Sequence, residues 1–247
     1  MLAVFAVAGC GGGSSKKSAT TAQSSDPIAP IQQALRGVHS YHIDLSGEGT
    51  QISADWVAPG TVRVHIDQAS GSNDAIVTPK ATYVRGDVNF WQHANLAPAV
   101  ASRVAGKWIQ VPLDANTAAF VKRIDPKSLA FCAGVDEGTT RDLGTRTDNG
   151  VKVHVLEFVG DVAGSSPGTV EYAASGPAYP LRLEQTGKRK PGGTNDPRCS
   201  HGETSAGTTH AVTKFSRFND AIKIVPPANA LTLDDVKALS AGQSNSA

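Results

Sequence analysis

Short segments of strict two-residue alternation recur along this chain, and they constrain its fold more than any other feature. Tyr41, Ile43 and Leu45 alternate with His42, Asp44 and Ser46, and Val62, Val64 and Ile66 alternate with Arg63, His65 and Asp67. Further on, Val151, Val153 and Val155 stand against Lys152 and His154, and Leu181 and Leu183 against Arg182 and Glu184. Successive side chains of an extended chain point to opposite faces. This pattern therefore predicts antiparallel strands with one apolar and one polar face. His65 and His154 fall on the polar phase and are expected to face solvent. Ala58-Pro59-Gly60 and Arg85-Gly86-Asp87 are the expected turns between successive strands. A last strand, about Thr208 to Phe215, leads to Ile222-Lys223-Ile224 before Pro226-Pro227 breaks the chain.

Helical spacing predicts the other elements. Pro27 or Pro30 opens a helix over Ile28 to Gly37, with Ile31, Ala34, Leu35 and Val38 at helical intervals. Asn95 to Val104 and Ala115 to Ile124 are periodic in the same way. Asp125-Pro126 is a cap followed by proline at the first helical position, and starts a helix over Lys127 to Cys132 that Gly134 would stop. Leu233 to Leu239 closes the chain as a short helix. Gly187 to Thr209 is poor in apolar residues and reads as a long loop. The order helix, strands, helices, strands predicts an α+β fold: one curved antiparallel β-sheet, a half-barrel, covered on one side by α-helices.

The N-terminus sets the expected address. Leu2 to Ala8 is apolar, Val7-Ala8-Gly9-Cys10 has the layout of a lipobox, and a polar run follows from Gly11 to Ser25. Residues 1–9 are expected to be a lipoprotein signal peptide, with Cys10 the lipidated first residue of the mature protein. Residues 10–27 are then a flexible tether and 28–247 a single domain. No Lys or Arg precedes Cys10, which departs from the usual positive n-region, so the true start is expected upstream. The competing reading is a buried strand that ends in cysteine. The expected localisation is the cell membrane, lipid-anchored, on its extracytoplasmic face. Charge is balanced, with 23 Lys+Arg against 22 Asp+Glu, so there is no basic field to attract nucleic acid.

With Cys10 carrying lipid, Cys132 and Cys199 remain. In an oxidising compartment they read as one disulfide. A metal site using Cys132, Cys199, His201 and His210 and a pair of free thiols are the alternatives, although Cys-x-His is an uncommon zinc spacing. Signs of catalysis are weak. There is no Gly-x-Ser-x-Gly elbow and no His-Glu-x-x-His motif, and Ser14-x-x-Lys17 lies in the tether. No carboxylate pair is singled out by spacing. The expectation is a protein that is not an enzyme and has no cofactor and no metal.

Several stretches, taken in order, resemble the LppX/LprG-type lipoproteins of mycobacteria and related actinobacteria, which are similar in architecture to the LolA/LolB carriers. They are the lipobox, the opening helix with His39-Ser40-Tyr41-His42-Ile43, Tyr83-Val84-Arg85-Gly86-Asp87 with Trp91, and Gly106-Lys107-Trp108-Ile109-Gln110-Val111-Pro112. Asp125-Pro126, Ala178-Tyr179-Pro180-Leu181-Arg182-Leu183 and the run from Phe215-Ser216-Arg217-Phe218-Asn219 to Pro226-Pro227 complete them. The resemblance implies a half-barrel with an apolar cavity between sheet and helices. It also implies a role in binding or carrying an acylated envelope lipid. The expected partners are membrane lipids through acylated Cys10, a lipid ligand and an envelope transport partner. Val62, Val64, Ile66, Trp91, Val153, Val155, Leu181 and Leu183 are the candidate cavity-lining residues. A sheet face packed on helices carries the same pattern as one lining a cavity. The alternative is thus a non-catalytic envelope scaffold or sensor with a filled core. The Gly187 to Thr209 segment and the cysteine pair have no match in the resemblance.

Overall fold

The computed structural model describes residues 26–133, 138–192, 199 and 207–241. Helix α1 (Ala29–Arg36) leads into β1 (Ser40–Gly47), β2 (Thr50–Val57), β3 (Thr61–Gln68), β4 (Gly71–Val77) and β5 (Thr82–Gly86). Next come α2 (Val88–His93), α3 (Pro98–Val104), β6 (Ile109–Val111), α4 (Ala115–Arg123) and α5 (Pro126–Cys132). The second half contains β7 (Thr140–Asp148), β8 (Val151–Phe158), β9 (Gly168–Ala173), β10 (Pro180–Lys188), β11 (Thr208–Ser216) and α6 (Leu233–Ala241).

All eleven strands join one sheet, in the order β6-β5-β4-β3-β2-β1-β11-β10-β9-β8-β7. Each neighbouring pair is antiparallel. Two meanders thus meet at the β1–β11 seam, and β6 and β7 form the free edges of a curved, unclosed sheet. Helices α4 and α5 lie in the connection between those edges. They pack with α1 on the inner face, giving the α+β half-barrel that the alternation predicts.

Register explains which side is inner. Tyr41, Trp56, Val62 and Val77 are cross-strand partners in one row, and Ile43, Ala54, Val64 and Ala75 in the next. Directly paired residues share a face, so these rows form a continuous apolar surface. Ile28, which precedes α1, Ile31 and Leu35 of α1 and Ala130 of α5 pack on it. The Tyr41 hydroxyl donates to the Ile124 carbonyl at 2.5 Å and fixes the end of α4 to the sheet. Burial, with the nearby Asp125 charge, pushes its ionisation well above the ordinary tyrosine range. A second cluster, Trp91, Val100, Ala101, Val104 and Ile109, sits at the β6 edge, where Leu231 exchanges backbone hydrogen bonds with Trp108 and Gln110.

The outer face is a lattice of charges. Asp55 is 5 % exposed in its side chain and sits between His42 (2.9 Å) and Arg63 (2.5 Å). Asp74 is held by His65 and Arg85 in the same way, and Arg85 also lies over the Trp108 ring. Burial alone would raise the Asp55 pKa, but hydrogen bonds and charge from His42 and Arg63 outweigh it and hold it below the ordinary value. A carboxylate whose folded pKa is lowered contributes stability above its unfolded pKa of about 4, and that stability is lost as pH falls further. Acid unfolding followed by circular dichroism should therefore be less steep below about pH 4 in Asp55→Asn, which also starts less stable. Superimposable acid limbs would contradict this.

Four local expectations need correction. Arg85-Gly86-Asp87 is not a hairpin turn. Asp87 instead caps α2, accepting from Phe90 N at 2.7 Å, and also accepts from Ser72 N at 2.9 Å. A Cβ at Gly86 would lie 2.2 Å from the Phe90 ring, so this strand-to-helix corner requires glycine. Asp87→Ala should cost about 1 kcal/mol in urea unfolding, the usual value of a lost cap, and an unchanged midpoint would refute the assignment. Second, His154 does not stand on a solvent face. It pairs with Tyr172, stacks on that ring at 4.9 Å and bonds to Asp142 at 2.6 Å, on the same face as Leu156 and Phe158. Third, Val153 and Val155 are buried on the opposite face, where Val155 pairs with Glu171 and Val153 with Arg146. Glu171, itself buried, binds Arg146 there, so a salt bridge rather than water covers the valines. Fourth, Ile222 to Ile224 forms no strand. The chain leaves β11 through Arg217 and Asn219, both at positive φ, and the Asn219 side chain binds His39 N and Tyr179.

Candidate functional site

Under β1 to β4 the inner face is buried: Val62 is 0 % exposed and Trp56 4 %. Under β8 to β11 the buried face borders an open space. A cavity of about 210 Å³ lies between this half of the sheet and the α1–α5 pair. Ile28, Ile31 and Leu35 form one wall, and Leu129, Cys132 and Ala133 of the α5 region a second. The floor is the sheet itself, with Phe158, Val170, Pro180, Leu183 and Phe215. Two polar side chains complete the lining, Arg123 at the end of α4 and Gln185 on β10.

Local sequence explains these walls. Pro30 in the first turn starts α1, and its i, i+4 residues Ile31 and Leu35 turn towards the sheet. Asp125 caps α5 by accepting from Lys127 N at 2.9 Å, with Pro126 at the first helical position, as its sequence predicts. Cys132, at the end of that helix, forms a disulfide with Cys199, with S–S 2.05 Å and Cα–Cα 5.4 Å. Both cysteines line the cavity, and Cys199 is buried. The disulfide uses both sulfurs of the alternative metal site. His201 lies outside the described residues, as does Cys10 with the signal and tether segments up to residue 25.

The candidate lining residues divide. Leu183 lines the cavity. Val62 and Val64 are buried in the filled part of the core, with Ile66 packed against it. Trp91 belongs to the separate cluster at the β6 edge. Leu181 lies where the β9–β10 register shifts between Pro180 and Arg182, and Val153 and Val155 are on the outer face. Ile28, Ile31, Leu35, Phe158 and Val170 were not singled out as lining residues, because no sequence pattern separates a wall from a core.

Among the described residues, no group of three or more His, Cys, Asp or Glu side chains is arranged to hold a metal ion. In the same residues, no helix is long and apolar enough to cross a membrane. The Asp-His contacts lie on strands with ordinary structural partners, and none is at the cavity.

No protein-family model matches the chain, and no curated protein does. Solved structures do. LprF from Mycobacterium bovis aligns with a TM-score of 0.51 at 14% identity, covering 82% of this chain and 95% of that one. The Mycobacterium tuberculosis lipoprotein LppX aligns with a TM-score of 0.47 at 14% identity, covering 81% of this chain and 100% of that one. At such identity the LprF alignment speaks for the fold, which agrees with the strand order and helix placement above: this chain has an LppX/LprG-like half-barrel fold.

Proposed function

We propose that this domain is a membrane-anchored extracytoplasmic lipoprotein that binds or carries the acyl part of an envelope lipid. The observation that carries this reading is the apolar cavity between α1, α5 and β8–β11. Hydrocarbon entering it would leave water at about 25 cal/mol per Å² of buried surface, or ~0.8 kcal/mol per methylene, with no covalent chemistry required. At about 210 Å³ the space is below the roughly 300–1,000 Å³ of sites that enclose a drug-sized molecule. It suits one acyl chain, or part of one, rather than a lipid with several. Acylated Cys10 would hold the domain beside its ligand source, and the tether would allow transfer to an envelope partner.

The second reading is a scaffold or sensor with a filled core. It is favoured by the close packing under β1 to β4, where Tyr41, Trp56 and Val62 are almost fully buried. Leu183→Trp separates the two. It adds bulk to the cavity floor from a strand position, leaving the β1–β4 core untouched. In a fluorescent fatty-acid titration, affinity should fall about fivefold or more, since forcing extra bulk into a site costs ~1–3 kcal/mol. The unfolding midpoint shows that the variant is folded. Unchanged uptake by a folded Leu183→Trp protein would remove the cavity as the binding site and leave the scaffold reading.

A further inference from the structure

The cavity wall contains two polar side chains, Arg123 and Gln185. Arg123 and Gln185 make no side-chain hydrogen bond or ion pair among the described residues. Elsewhere the arginines are heavily used: Arg63, Arg85, Arg141, Arg146, Arg182 and Arg217 each meet a carboxylate within 4 Å. Arg36 and Arg103 likewise meet no carboxylate among the described residues, but Arg123, an exposed residue, is the arginine that lines the cavity. Arg123 ends α4, where a cation also favours the helix dipole. Lys122 already supplies that charge one residue earlier, and it is absent from the cavity lining. Apolar sites commonly orient their ligands with a few placed polar groups. A guanidinium presents a rigid fork of donors suited to carboxylate or phosphate.

We propose that the ligand is a single-chain amphiphile with an anionic head, its tail in the cavity and its head on the Arg123 guanidinium, with the Gln185 amide as a second donor. This rests on the acyl-binding reading above and adds the charge and chain number of the ligand. The small cavity favours one tail, part of it held inside, over several, and Arg123 sets the sign of the head. Fatty-acid carboxylates and single-chain phosphate esters share this chemistry.

The test uses the full chain carrying Cys10→Ser and three probes with one tail: hexadecanoate, hexadecyl phosphate and hexadecanol. Titration calorimetry below the aggregation limit of each probe should show at least one anion binding about tenfold or more tighter than the alcohol, the range expected for a hydrogen-bonded charge. Arg123→Gln should erase that gap and leave the alcohol unchanged, while Arg123→Lys should preserve more of it for the phosphate than for the carboxylate. The tighter anion identifies the head. Equal binding of all three probes, or a gap that survives Arg123→Gln, would overturn the anionic-head assignment and leave acyl binding standing. Failure of all three probes to bind would overturn both.

Discussion

Replacing Cys132 and Cys199 together by alanine is expected to destabilise the domain by about 4 kcal/mol. The bond joins residues 67 apart in sequence, and closing a loop of that length removes roughly this much entropy from the unfolded chain in the chain-entropy model. For a domain of this size each kcal/mol shifts the melting temperature by about 2–4 °C, so calorimetry should record a fall of about 10 °C. Both sulfurs also lie in the cavity wall, so acyl-probe binding should weaken in the same variant. A melting temperature within about 2 °C of the parent would show that the bond contributes little, with the shift per kcal/mol as the yardstick.

Phe158→Ala is the second large effect. Phe158 is 2 % exposed at the end of β8 and belongs both to the main core and to the cavity floor. Truncating a buried phenylalanine costs about 3–5 kcal/mol, a transfer loss plus the void left behind. Here the void would merge with an existing cavity. Urea unfolding should lose about 3 kcal/mol or more without a change in slope. At temperatures where the variant remains folded, it should prefer a longer or bulkier acyl probe than the parent does. A loss below about 1 kcal/mol would mean that Phe158 is not packed as described.

Much of the fold was legible because period and caps are local. The rows Tyr41-Ile43-Leu45 and Val62-Val64-Ile66 alternate cleanly because one side meets the helices and the other meets charge. Asp125-Pro126 starts α5 as its sequence predicts. The misreadings occur where a second layer intervenes. In β8 the run from Val153 to Phe158 is apolar on both faces, because a buried glutamate with its arginines covers the outer one. Alternation there points to the wrong face. Helix α2 is six residues long, too short to show a period, and only the Asp87 cap betrays it. The cavity is harder still. Leu183 lines it and Val64 does not, yet both stand on apolar phases of amphipathic strands. The difference lies in the tertiary packing of helices on the sheet, which leaves no local trace. Arg123 was likewise invisible, since its place in the cavity lining depends on where the end of α4 meets the sheet.

The central claim is that an apolar ligand occupies the space between α1, α5 and β8–β11. Native mass spectrometry with lipid extraction, on the chain carrying Cys10→Ser secreted from an actinobacterial host, tests it most directly. A co-purifying single-chain lipid, bound one to one and displaced by an acyl-chain probe, is the predicted result. A bare protein mass that takes up no acyl-chain probe would contradict the account and favour a filled-core scaffold.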